Sequence, residues 1–124
     1  MRIFIFLFCI IIFAHGLPLA EYYCGFSGNF CGQSSTDDTN VNASLIILAF
    51  ANIQANGSVV MDTANYPCTL VQKWQSQGKK VFLSIGGASG TWTSIFTSSG
   101  MINGINSIVD ILQTTTIDGI DLDL

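Results

Sequence analysis

Residues 45–50 (Leu-Ile-Ile-Leu-Ala-Phe) and 80–85 (Lys-Val-Phe-Leu-Ser-Ile) contain apolar runs with no alternation and no helical stripe. A strand with one wet face would alternate, so these two segments are predicted to be strands buried on both faces. Such strands need helices on their faces. Residues 69–77 supply one, with Leu70, Val71 and Trp74 on one side and Gly78 placed for a C-cap. Residues 101–113 supply a second, with Ile102, Ile105, Val109 and Leu112 forming its apolar stripe and Ser98 or Ser99 available to cap it. Residues 21–26 and 117–124 read as two more strands, residues 26–42 as loop, and Asn56-Gly57 as a turn. Strands alternating with helices predict an α/β fold with a parallel sheet. An open doubly wound sheet and a closed barrel both satisfy this pattern.

The last strand is the most unusual. In Asp118-Gly119-Ile120-Asp121-Leu122-Asp123-Leu124, the two-residue period puts Asp121 and Asp123 on one face and Ile120, Leu122 and Leu124 on the other. Carboxylates buried without partners cost several kcal/mol. Two that lie close together also repel, so that one proton tends to be shared between them. Acid/base or charge-stabilising chemistry is the expected use of such a pair.

A second signal is Ser84-Ile85-Gly86-Gly87. Paired glycines at the end of a buried strand allow backbone or ligand to come close. Ser84, polar within an apolar strand, requires a hydrogen-bond partner. Neighbouring backbone would satisfy it as well as a side chain would.

Composition narrows the function classes. Arg2 followed by the apolar residues 3–13 and the small residues Ala14, Gly16 and Ala20 has the layout of a signal peptide over residues 1–20. The run is too short to span the roughly 30 Å of a bilayer core. The mature chain is therefore expected to be secreted and extracellular, without a membrane anchor. Beyond residue 20, Lys73, Lys79 and Lys80 stand against eight acidic residues, with no Arg and no His. That balance disfavours nucleic acid as a partner. It also excludes a Ser-His-Asp triad or a His-ligated zinc from this stretch, and neither a metal nor a cofactor is expected. Cys24, Cys31 and Cys68 are an odd number for an oxidising compartment. Cys31–Cys68 is the preferred disulfide, because it would tie the loop after the first strand to the start of the first helix. Asn42 and Asn56 begin N-glycosylation sequons.

Together, Ser84-Ile85-Gly86-Gly87 and, about thirty residues later, Asp118-Gly119-Ile120-Asp121-Leu122-Asp123 resemble the SxGG and DGxDxDxE motifs of family 18 glycoside hydrolases, the chitinases and their relatives. Residues 45–50 resemble that family's second strand and Tyr22-Tyr23 its first. The resemblance covers residues 21–124. It implies the first half, about four strands, of a (β/α)8 barrel with its active site at the C-terminal strand ends.

The resemblance also implies a substrate: chitin or another glycan containing β-1,4-linked N-acetylglucosamine. In the implied mechanism, the substrate's own 2-acetamido oxygen attacks the anomeric carbon. The residue matching Asp123 orients that group, and the one matching Asp121 shares a proton with it. Asp118 matches the first motif acid, in a supporting role at the start of the strand, and Ser84 matches a residue behind the aspartates. Tyr22 and Phe50, with Gly86 and Gly87, match positions lining the site of the distorted sugar. The motif's general-acid Glu would be residue 125, one past Leu124. Without it a contribution of typically 10²- to 10⁴-fold is missing. Strands five to eight would be missing too, leaving the edge of the fourth strand unpaired, so the 124 residues alone are expected to be unstable and inactive. Relatives that replace this Glu bind glycans without cleaving them, so a lectin-like binder or a non-functional truncated product is the alternative.

Overall fold

The computed structural model describes residues 18–23, 42–88 and 90–124. The expected signal peptide (most of residues 1–20), the 26–42 loop up to residue 41, Cys24 and Cys31 fall outside these residues. Among the described residues, five strands and two helices run in the order β1 (Ala20–Tyr23), β2 (Leu45–Ile53), β3 (Val59–Val60), α1 (Cys68–Ser76), β4 (Lys80–Gly86), α2 (Ser98–Thr114) and β5 (Gly119–Asp123). A 3-10 turn, Trp92–Ser94, lies between β4 and α2. Among the described residues, no helix is long and apolar enough to cross a membrane.

The sheet order is β1-β2-β4-β5, and each of these neighbours pairs in parallel. This is the architecture expected from the apolar runs. β3, which was not anticipated, pairs antiparallel with the end of β2 at Asn52↔Val60 and Ile53↔Val59. Two residues are too few for a periodic signal to be visible in sequence.

The register separates two faces. Tyr23, Leu48, Leu83 and Ile120 lie in one row across the sheet, and Ala49, Ser84 and Asp121 lie in the next, on the opposite face. The first face meets the helices. Ile46, Leu48, Val81, Leu83 and Ile85 are buried there with Val71 and Trp74 of α1 and with Ile111 of α2. Trp74 meets Tyr23 edge to face at 5.1 Å, a contact worth about 0.5–1.5 kcal/mol beyond burial. α1 stops where Gly78 takes a positive φ of 80°, as its position in the sequence suggested.

α2 departs from expectation in two ways. Its N-cap is Thr97, whose hydroxyl accepts from the Gly100 amide at 3.0 Å, rather than Ser98 or Ser99. Its large apolar stripe also points outward: Ile102 is 60% exposed, Ile105 56%, Val109 45% and Leu112 38%. The buried side of α2 is made of Gly100, Gly104 and Ile111, with Ile108 packed against the core. The hairpin joining β2 to β3 lies on this side. Gly57 lies directly on Gly100, so closely that a Cβ at Gly57 would overlap the Gly100 backbone. Ser107 Oγ accepts from the Val59 amide at 2.8 Å, and Asn103 donates to the Asn56 carbonyl at 2.8 Å. Close backbone approach selects small residues, and a stripe read from large apolar side chains cannot register them.

Candidate active site

Asp121 occupies the third position of β5, directly opposite Ser84 of β4. Ser84 is fully buried, and its hydroxyl donates to Asp121 Oδ2 at 2.7 Å. The polar residue inside the apolar strand thus finds a carboxylate on the neighbouring strand, rather than neighbouring backbone. Tyr22, from β1, reaches across the same face and donates its hydroxyl to the same Oδ2 at 3.1 Å. One carboxylate oxygen therefore takes two O–H donors, from residues 37 and 99 positions away in the chain.

Tyr22 is itself held in the donating form. Lost hydration around its hydroxyl, the hydrogen bond to Asp121 and the negative charges of Asp121 and Asp123 push its phenol above the ordinary value, while Ser84 offsets part of the effect. Phe50 faces it, with ring centroids 6.2 Å apart and planes tilted by 39°. Phe50 has no partner in β4, because the β2–β4 register shifts between Ala49 and Ala51. Such a bulge re-aims a side chain out of the ladder. The Ala49–Phe50 peptide is cis.

Asp123 pairs with Gly86 at the end of the ladder. Gly86 and Gly87 have φ of 110° and 78°, values that side chains beyond glycine seldom adopt. A Cβ at Gly87 would lie 3.2 Å from the Phe50 ring. Beyond the glycines, the indole N–H of Trp92 donates to the Asp123 backbone carbonyl at 3.0 Å. Trp92 was not anticipated from the sequence. Its one signal is an aromatic in the short loop that the double glycine opens.

Tyr22, Phe50, Ser84, Gly86, Gly87, Asp121 and Asp123 thus gather at the C-terminal ends of parallel strands. Asp118 does not join them. It lies just before β5, where its carboxylate accepts from Lys80 Nζ at 2.7 Å, Gln75 Nε2 at 3.0 Å and the Val81 amide at 3.0 Å. Its own amide donates to the Val81 carbonyl at 2.7 Å. Burial pushes its pKa up, but the Lys80, Gln75 and Val81 hydrogen bonds and the Lys80 charge outweigh that and hold it below the usual carboxylate range. Asp118 fastens the start of β5 to β4, and Lys80 and Gln75 were not singled out as its partners. Cys68 is exposed at the first residue of α1, and its expected partner Cys31 lies outside the described residues. Asn42 is exposed, and Asn56 lies in the β2–β3 turn, where its Oδ1 accepts from the amide and hydroxyl of Ser58 at 3.0 and 2.7 Å.

A parallel α/β sheet that carries carboxylates, a phenol and an aromatic wall at its C-terminal strand ends has the plan of a (β/α)8-barrel enzyme. The family model for Glycosyl hydrolases family 18 matches residues 23–124. The chain belongs to glycoside hydrolase family 18, and its four parallel strands form part of that family's barrel.

Among solved structures, it is similar to a family 18 chitinase from Chromobacterium violaceum, at 30% identity and a TM-score of 0.67 over 86% of this chain. It is also similar in fold to a chitinase from Rhizomucor miehei, at 24% identity, a TM-score of 0.70 and 86% of this chain. Human YKL-39, described as a pseudo-chitinase with retained chitooligosaccharide binding, matches in fold at 24% identity, a TM-score of 0.62 and 87% of this chain. This chain spans 30%, 33% and 32% of those three chains, respectively. No curated protein matches it by sequence.

Proposed function

We propose that this chain forms part of the catalytic barrel of a secreted chitinase-type glycosidase that cleaves β-1,4-linked N-acetylglucosamine with retention of configuration. The observation that carries this reading is the Tyr22–Asp121–Ser84 cluster, with Asp123 two residues further along the same face of β5. In the proposed reaction, Asp123 accepts from the acetamido N–H of the bound sugar and aims the acetamido oxygen at the anomeric carbon. That oxygen forms a bond to the carbon as the glycosidic bond breaks, giving a cyclic, positively charged oxazoline-like intermediate. Asp121, held by two donors and two residues before Asp123 on the same face of β5, adds fixed negative charge on the side where the positive intermediate forms.

Tyr22 and Phe50 offer apolar ring faces suited to sugar C–H surfaces. The leaving oxygen would be protonated by the general-acid Glu that the family's DGxDxDxE motif carries two residues after the position of Asp123. Secretion is supported by the sequence of residues 1–20, and Asn42 and Asn56 would be glycan acceptors. The similarity to human YKL-39 favours one alternative, a barrel that binds chitooligosaccharides without cleaving them.

The test uses the protein that carries this chain, incubated with N-acetylated chitooligosaccharides. Hydrolysis that is lost in Asp123→Asn and in Asp121→Asn supports the enzyme. Saturable binding without hydrolysis supports the binder, and neither hydrolysis nor binding contradicts both.

A further inference from the structure

We infer that Trp92 is a positioning residue, whose indole N–H sets the direction in which Asp123 presents its carboxylate. This rests on the reading of Asp123 as the group that holds the acetamide. Asp123 is the last residue of β5, and beyond it the ladder provides no further pairing with β4. A side chain at a strand end is aimed only as well as its peptide is held. Here the Asp123 carbonyl accepts twice, from the Gly87 amide at 3.2 Å and from Trp92 Nε1 at 3.0 Å. The two donors use both lone pairs of that oxygen. With the preceding residues fixed by the ladder, holding this carbonyl fixes the backbone of Asp123, and with it the Cα–Cβ direction.

The surrounding glycines make the slot the indole needs. A Cβ at Gly86 would press on both Trp92 Nε1 and the Asp123 carbonyl oxygen, and a Cβ at Gly90 would lie 3.0 Å from Trp92 Nε1. The Gly90 amide donates to the Gly87 carbonyl at 2.8 Å, closing the turn that delivers Trp92. The ring itself packs against the hydrophobic core, so the donor is anchored at its far side. The paired glycines of residues 86 and 87 therefore serve the carboxylate indirectly, by letting an indole N–H and a backbone N–H converge on one oxygen. An indole that served packing alone could point its N–H at any acceptor.

The test compares Trp92→Phe, which deletes the donor and keeps a ring, with the parent in the protein that carries this chain. Kinetics on a chitooligosaccharide are expected to show kcat reduced about ten- to a hundredfold, the scale of a misplaced catalytic group, with KM within about threefold. An unchanged kcat in a folded variant would overturn the inference. Should Trp92→Phe not fold, hydrogen exchange of the Trp92 indole N–H in the parent decides. Protection well beyond that of an exposed indole supports the clamp, and exchange at the free rate overturns it. Asp123→Asn run in parallel separates the two claims. Activity retained there refutes the role of Asp123 itself, whereas activity lost there and kept in Trp92→Phe refutes only the positioning role.

Discussion

Ser84 and Asp121 face each other across the β4–β5 ladder, and the 2.7 Å hydrogen bond between them places a buried hydroxyl under one oxygen of a carboxylate. Tyr22 completes the arrangement from the far edge of the sheet. Because both donors converge on Oδ2, their contributions are coupled. In the protein carrying this chain, Ser84→Ala and Tyr22→Phe are each expected to lower kcat/KM by about tenfold or more, within the range for a lost hydrogen bond to a charged group. The double variant is expected to lose less than the product of the two single losses, since removing one donor already frees the carboxylate. Steady-state kinetics on the four proteins of the cycle measures this.

Asp118 is expected to behave differently. Asp118→Ala removes a partner of Lys80, Gln75 and Val81 at the start of β5, on the side of the sheet away from Asp121. Stability is expected to fall by about 1 kcal/mol, because Lys80 is largely exposed and its ion pair is screened, while the amide bond is lost in full. Binding of substrate should change little. The carboxylate's pKa is lowered in the fold, so the unfolded chain takes up its proton first on acidification. Its stabilisation is therefore present above the unfolded pKa and is lost as pH falls through the folded one. Denaturant titrations between neutral pH and pH 3 should show a shallower acid decline in Asp118→Ala than in the parent.

The double glycine gives a steric prediction. Gly87→Ala would have to hold φ of 78° with its methyl 3.2 Å from the Phe50 ring. A loss of about 1–3 kcal/mol is expected from the backbone alone. Displacement of Phe50 should add a rise in KM for chitooligosaccharides. Thermal unfolding and substrate titration check the two parts separately.

How far the sequence could be read depended on what kind of force shaped each element. Residues 45–50 and 80–85 were legible as strands because burial on both faces demands continuous apolarity, and Asp121 and Asp123 were legible as a pair because strand periodicity is rigid. Ser84 was legible as needing a partner, though not as needing Asp121, which is 37 residues away. The apolar stripe of α2 was legible, but its glycine face was not. Gly100, Gly104 and Ser107 pack against the β2–β3 hairpin through their smallness, whereas Ile102, Ile105, Val109 and Leu112 dominate any apolar count. Trp92 was missed because a hydrogen bond to a backbone carbonyl leaves no residue pattern on the acceptor's side.

The glycine face of α2 yields its own prediction. A methyl at Gly100 would collide with the Ser94 carbonyl, so Gly100→Ala is expected to destabilise the fold by about 1–3 kcal/mol, as overpacking does. Ile105→Ala, at a position 56% exposed, should cost less in the chain described. Chemical denaturation of the two variants ranks them, and the reverse order would mean that the apolar stripe, rather than the glycine face, carries the packing of α2.

The central claim is that the carboxylates of β5 serve a reaction in which the substrate's acetamido group is the nucleophile. The most direct measurement follows, by proton NMR, the first product released from an N-acetylated chitooligosaccharide by the protein that carries this chain, alongside the fully deacetylated oligomer. The account predicts that the β-anomer appears first and that the deacetylated oligomer is not cleaved. The α-anomer as first product, or equal cleavage of the deacetylated oligomer, would contradict it.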